Sequence, residues 1–236
     1  MDAPDLIGYS FMLKESFGTS LLALGAALAY LTVWMIIRPR QSAHYFLLVY
    51  ALLVLLKMTF YICYYPLPIT QSASWLHYSF QEIFMLSGWI CFYFIIQRLL
   101  KSSRLQRIHY RLFLLVIMIS LMVLLLKENN IRGAGLFSVM IAAFQQLACV
   151  LYFIDRIYST ETTSLPKDPG FWMIAGIFMH SSGFIPAMLA FEILSDNLQG
   201  FLSAGVPILF TLYMLLFLSF LKSLLCSRKQ KNYLYS

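Results

Sequence analysis

Apolar side chains fill seven long stretches of the chain, and short polar segments rich in proline, glycine and charge separate them. Each stretch has about the 20 residues that an α-helix needs to cross a hydrocarbon core about 30 Å thick. The pattern therefore predicts seven transmembrane helices, near residues 18–37, 43–64, 75–98, 110–126, 134–155, 170–194 and 200–222.

These crossings account for most of the chain. Seven spans use roughly 140 residues, and the connections between them are short, such as Arg38-Pro39-Arg40-Gln41 and Leu165-Pro166-Lys167-Asp168-Pro169. Proline in such segments ends helices. We therefore expect a single all-α domain over residues 1–236, a seven-transmembrane helix bundle.

The amino-acid composition indicates the environment that surrounds this bundle. Hydrophobic residues make up 61% of the chain and charged residues 11%, and the mean hydropathy is +0.77. A soluble domain has about 45–50% apolar and about 25% charged residues. Charged residues are too few to cover a water-facing surface. The expected environment is therefore a lipid bilayer, which excludes the ordinary soluble enzymes.

Lysine and arginine are distributed unevenly over the two sides of the predicted bundle. Loops on the cytoplasmic side of membranes carry an excess of these residues. Placing the C-terminus inside leaves only Lys14, Lys127 and Arg132 in outer loops. The predicted orientation is therefore N-terminus outside and C-terminus cytoplasmic. Most of the net charge of +7 then faces anionic headgroups of the inner leaflet, and no nucleic acid partner is expected.

Two ionisable residues lie within predicted spans, at similar depth below the outer surface. Lys57 is on helix two and Glu82 on helix three, so neighbouring antiparallel helices can pair them. Charges in hydrocarbon are rare and mark functional sites by default. Helical spacing adds Tyr61, Tyr78 and Trp89 as aromatic walls. The group is either an ion pair that holds two helices together or a binding site for a small amphipathic ligand.

A second polar group falls near the predicted midplane. Gln145 and Gln146 are on helix five, and His180 is on helix six among small residues that include Gly176 and Gly183. Small residues let helices approach closely, and amide and imidazole groups can bond across the contact. The group is either buried polar adhesion between helices or a pH- or ligand-sensitive switch, because histidine titrates near neutrality.

The loop between helices three and four is the most basic of the chain. Its cations include Lys101, Arg104, Arg107 and Arg111. We expect them to contact anionic lipid headgroups, with docking of a cytoplasmic partner as the alternative.

Motifs for catalysis and metal binding are not apparent. The sequence has no HExxH, GxSxG or Walker motif, the four cysteines show no metal-ligand spacing, and the histidines are scattered in depth. We therefore expect no enzymatic activity, no metal and no cofactor.

One stretch resembles a known group of proteins. The segment Leu165-Pro166-Lys167-Asp168-Pro169-Gly170-Phe171-Trp172 leads to Gly176, and His180-Ser181-Ser182-Gly183 follows. It is similar to the entry into helix six of small seven-helix membrane proteins of Bacteroidota-type bacteria, related to the input modules of sensor histidine kinases. His180 stands where those proteins commonly have an aromatic residue. The resemblance implies a sensory or accessory role, a regulatory or kinase partner, and a place in the bacterial inner membrane.

Three functions are consistent with the sequence. The leading hypothesis is a sensory or signalling-accessory protein of a cell membrane that acts through a cytoplasmic partner. The first alternative is a transporter or channel-like carrier for a small solute, whose uptake would vanish in Lys57→Ala or Glu82→Gln. The second is a structural subunit of a membrane complex, which would tolerate both changes.

Overall fold

The computed structural model describes residues 21, 23–37, 39, 41–64, 71–126, 132–159, 165–193 and 198–233. All regular structure in these ranges is helical. A single 3₁₀ turn, Leu165–Lys167, precedes the sixth helix. Within the described ranges the α-helices are α1 (Ala23–Ile37), α2 (Ser42–Tyr64), α3 (Gln71–Leu99), α4 (Ser103–Leu126), α5 (Arg132–Tyr158), α6 (Pro169–Ile193) and α7 (Leu198–Tyr233).

Four of these helices contain segments that are long and apolar enough to cross a bilayer. These segments are Ser42–Phe60, Ser138–Tyr158, Pro169–Ala190 and Thr211–Arg228, and shorter apolar segments cover Ala23–Ile37 and Ile83–Leu99. A helix satisfies all its backbone hydrogen bonds within the segment, which hydrocarbon requires. The chain is therefore an all-α, multi-pass membrane protein, and the prediction is confirmed at that level.

Two helices exceed the predicted spans. The predicted fourth span began at residue 110, but α4 begins at Ser103 and includes three arginines in its first turns. The predicted seventh span ended at residue 222, but α7 continues to Tyr233. Hydropathy marks where apolar sequence stops, whereas arginine and lysine are good helix formers and let a helix continue into polar surroundings.

From α2 to α7, helices that follow one another in the chain pack together, and α3 also contacts α5 and α6. A cluster of aromatic side chains joins the first helix of the bundle to the last. Tyr30 of α1 lies 6.4 Å from Phe217 of α7 between ring centroids, and Tyr50 of α2 lies 4.6 Å from Phe92 of α3. Phe220 contacts Tyr30, Tyr50 and Phe92. These five rings join four helices in the main buried core.

The contact between α6 and α7 depends on a glycine. A methyl group built on Gly176 would lie 2.7 Å from Cβ of Ser219 and 3.4 Å from the carbonyl oxygen of Leu216. Both atoms belong to, or are fixed to, the backbone of α7, so they cannot move aside independently. Small residues allow this kind of close approach in membrane helix pairs.

We expect Gly176→Ala to lower the free energy of unfolding by about 1–3 kcal/mol, because overpacking forces the helices apart. Gly25→Ala is the control, since a methyl group there meets nothing within 4 Å. Alanine is a better helix former than glycine by about 1 kcal/mol, so the control should be neutral or stabilising. Unfolding of both variants by denaturing detergent measures the difference, and equal effects would contradict the close contact.

Candidate functional site

Among the residues that the structure describes, many polar contacts lie at one end of the bundle, which we call the polar end. It comprises residues 41–44, 97–109, 152–159, 165–172 and 222–228. Antiparallel packing brings together the starts of α2, α4 and α6 and the ends of α3, α5 and α7. Contacts between distant parts of the chain confirm the grouping: Nε2 of His44 lies 3.2 Å from Oγ of Ser223.

Asp155 joins the end of α5 to the start of α4. Its Oδ2 accepts a hydrogen bond of 2.6 Å from the backbone N–H of Lys101, and its Oδ1 accepts one of 3.2 Å from the backbone N–H of Ser102. The first N–H groups of a helix have no partner within the helix, and a negative charge there is favoured by the helix dipole. Asp155 is 6% exposed, so in a largely water-free position this carboxylate of α5 holds the two residues that lead into α4.

Asp168 performs the corresponding role for α6. Its Oδ1 accepts the backbone N–H of Gly170 at 3.1 Å, which is the bond of an N-cap residue. Its Oδ2 accepts the hydroxyl of Tyr152 at 3.0 Å and forms an ion pair with Nη2 of Arg156. Nε of Arg156 also donates to the Tyr152 oxygen at 3.2 Å. One carboxylate therefore ties the start of α6 to two residues of α5.

The end of α7 completes the polar end. The carbonyl oxygen of Pro166 accepts the indole N–H of Trp172 at 2.9 Å and lies 3.7 Å from Sγ of Cys226. The ammonium nitrogen of Lys222 lies 5.7 Å from the centre of the Trp172 ring, a cation–π contact. The connection between α5 and α6 is thereby fixed to α7.

Asp155 and Asp168 were not among the predicted site residues, although the sequence around each of them indicates a structural role. Asp168 precedes Pro169 and Gly170, and an aspartate followed by proline at the first helical position is typical of a helix start. Asp155 lies in the last turns of α5, where the helix dipole disfavours a negative charge. An acidic residue in that position indicates a partner outside its own helix, but not which one.

The predicted outer group is described in part. The side chains of Tyr61, Tyr78 and Glu82 lie outside the described residues, so the Lys57–Glu82 pair stays a prediction. Lys57 is partly buried and lies within electrostatic range of the His180 ring. Trp89 stacks on Phe113 of α4, with 4.8 Å between ring centroids.

The residues predicted near the midplane link α5 to α6 in two places. Oγ of Ser181 donates to Oε1 of Gln145 at 3.0 Å, and Nε2 of Gln146 donates to Oγ of Ser182 at 2.6 Å. Both glutamines therefore bond to serines next to His180. This geometry is that of polar adhesion between helices.

His180 differs from its neighbours. It is 9% exposed, and neither ring nitrogen has a hydrogen-bond partner among the residues that the structure describes. Its ring stacks on Phe184 at 5.8 Å and meets the edge of Tyr213 at 5.0 Å between centroids. The imidazole is thus packed as an aromatic ring would be.

We expect His180→Phe to raise the free energy of unfolding by about 1–3 kcal/mol, because an unsatisfied buried polar group costs roughly this much. Phenylalanine keeps a flat ring between Phe184 and Tyr213. The matched control is His109→Phe: Nδ1 of His109 lies 2.8 Å from Oε1 of Gln97, so this change should destabilise instead. Destabilisation by His180→Phe would indicate a partner or ligand at the imidazole.

A small cavity lies between α3, α4 and α5. It has about 20 Å³ of space for water, and Trp89, Tyr93, His109 and Gln145 are among the residues that line it. Apolar side chains, among them Ile96, Phe113 and Phe144, supply most of its lining.

The predicted basic residues are all exposed: Lys101, Arg104, Arg107 and Arg111. Lys101 is also joined to Asp155 through its backbone N–H. The polar end therefore fixes the backbone from which this basic segment starts.

Comparisons of the chain with protein-family models, curated proteins and solved structures give no match.

Proposed function

We propose that this chain is a seven-helix sensory or signalling-accessory protein of a cell membrane, which acts through a cytoplasmic partner. Its N-terminus lies outside and its polar end faces the cytoplasm. A stimulus in the interior shifts the packing of α5, α6 and α7, and the α3–α4 connection passes the shift to the partner.

The observation that carries this proposal is the pair of buried aspartates, Asp155 and Asp168. Asp155 of α5 holds the backbone just before α4, and Asp168 caps the start of α6 while it bonds to Tyr152 and Arg156 of α5. A displacement of α5 relative to α6 therefore acts directly on the start of α4. Packed elements with discrete polar contacts favour two arrangements over continuous deformation, which suits a switch.

Two further features support the proposal. The midplane hydrogen bonds of Gln145 and Gln146 connect the same two helices, α5 and α6, deeper in the bundle. The exposed basic residues cluster at the polar end, and an excess of arginine and lysine is typical of cytoplasmic segments.

The test of the proposal is co-purification with and without the link between α5 and α4. The full chain, with an affinity tag, is isolated from membranes, and the retained proteins are compared for wild type and Asp155→Ala. We expect a histidine kinase or other regulator to be retained by the wild type and lost or altered in its activity with the variant.

Ser159→Ala is the control, because its hydroxyl donates to the nearby carbonyl of Arg156 at the same helix end and takes no part in the link from Asp155 to the α3–α4 connection. Retention of no regulator by the wild type would refute the proposal. A reporter fused to each end of the chain tests the orientation separately, and both reporters on one side would exclude an odd number of crossings.

A further inference from the structure

The exposed side of α4 changes character along its axis. Three exposed arginines, Arg104, Arg107 and Arg111, lie at spacings of three and four residues and so share one face. The same face continues with three exposed apolar residues, Leu114, Leu115 and Met118, which are 42%, 50% and 64% exposed. We call these six residues the arginine–leucine face.

The opposite side of α4 is occupied by the bundle. Val116 is fully buried in a small core with Trp89 and Ile141, and Phe113 packs against it. His109 is also buried and lies against Tyr93, with 4.8 Å between ring centroids. The direction of the arginine–leucine face is therefore fixed: it points away from α3 and α5.

Hydrogen bonds hold the N-terminal end of α4, from which the arginine–leucine face begins. Asp155 holds the backbone just before α4, and the side-chain amide of Gln106 donates to the carbonyl oxygen of Leu100 at 2.7 Å. The Nε–H of Arg107 donates to the carbonyl oxygen of Ser103 at 3.4 Å, which orients its guanidinium group. The arginines are thus held by an ordered helix.

We propose that the arginine–leucine face is a binding surface for an anionic phospholipid. The guanidinium groups of Arg107 and Arg111 bind the phosphate, and an acyl chain lies along Leu114, Leu115 and Met118. Guanidinium matches phosphate geometry with paired hydrogen bonds. The transition from arginine to leucine takes place within one helical turn, as at the boundary between headgroups and hydrocarbon.

The apolar half of the face indicates that its occupant is a lipid and not a soluble protein. A soluble partner could cover the arginines, but it could not follow the same face into a region where Leu115 and Met118 are exposed in a chain that resides in the membrane. A phospholipid has both chemistries in the required order. This inference does not depend on a signalling role, since it concerns only the exposed side of α4.

The experiment is a lipid titration of the full chain purified in detergent, with bound lipid counted by native mass spectrometry. Phosphatidylglycerol is the probe and phosphatidylcholine the neutral comparison. The test variant is Arg107→Gln/Arg111→Gln. The matched control is Arg98→Gln/Arg228→Gln, which removes the same charge from two exposed arginines elsewhere at the polar end.

We expect the wild type to prefer phosphatidylglycerol. Basic residues near a membrane surface contribute roughly fivefold each to the binding of anionic lipid, so the test variant should lose about 25-fold in affinity while the control stays close to wild type. Equal binding of both lipids by the wild type would overturn the proposal. An equal loss in both variants would also overturn it, because it would show a diffuse charge effect.

Two further results keep the proposal testable. If the test variant retains phosphatidylglycerol but loses a co-purifying protein, the face docks a protein and the lipid proposal is wrong. If the test variant fails to fold, the wild type alone decides: added salt should release phosphatidylglycerol preferentially, since salt screens charge, and insensitivity to salt would contradict the proposal.

Discussion

Asp168→Ala is expected to lower the free energy of unfolding by about 3–5 kcal/mol, the range for removing one partner of a buried ion pair. The change leaves Arg156 with an uncompensated charge, since the side chains of the pair are each only 12% exposed. It also removes the N-cap of α6. Unfolding by denaturing detergent measures the loss.

The reason for this effect can be tested by removing the second partner. If the uncompensated guanidinium causes most of the loss, then Asp168→Ala combined with Arg156→Met should be more stable than Asp168→Ala alone. Asp168→Asn should fall in between, because the amide can still accept the N–H of Gly170. A double variant that is less stable than either single variant would show that the charge is not the cause.

Asp155→Ala is expected to lower the free energy of unfolding by about 2–3 kcal/mol, because two backbone N–H groups lose a charged acceptor. The loss should be local. Amide hydrogen exchange at Lys101 and Ser102 and in the first turn of α4 should accelerate strongly, while the α6–α7 contact at Gly176 keeps its protection.

Asp155→Asn separates hydrogen bonding from charge. The asparagine oxygen can replace one of the two acceptors, so this variant should keep part of the protection at the start of α4. If exchange in α6 and α7 accelerates as much as in α4, Asp155 supports the whole bundle, and the specific coupling of α5 to α4 is wrong.

The helical architecture could be predicted from the sequence because a membrane imposes one simple requirement. A segment in hydrocarbon must satisfy its backbone internally, so an apolar stretch of sufficient length indicates a helix. The predicted span 43–64 and the observed α2, Ser42–Tyr64, end at the same residue and begin one residue apart. The end of α7 could not be predicted in this way, since a helix does not have to end where the hydrocarbon ends.

The candidate site was harder to predict, since its decisive contacts join residues far apart in the chain. Asp155 and Lys101 are 54 residues apart, and no local pattern specifies which loop meets the end of α5. The predicted polar residues Gln145 and Gln146 do link α5 to α6, but through Ser181 and Ser182. The depth of a residue in the membrane can be estimated from the sequence. Its hydrogen-bond partner depends on how each helix is rotated about its own axis, which the sequence does not show.

The length of α7 has a mechanical consequence. Its 36 residues form a rod about 54 Å long at about 1.5 Å per residue, whereas the hydrocarbon layer is only about 30 Å thick. A good part of the rod therefore extends past the lipid. Pro207 interrupts the backbone hydrogen bonds near the start of α7, but the helix that follows it is stiff, so a slight change of its tilt among its neighbours becomes a larger sideways swing at Tyr233. Such amplification at the end of α7 is what the proposed signalling role requires.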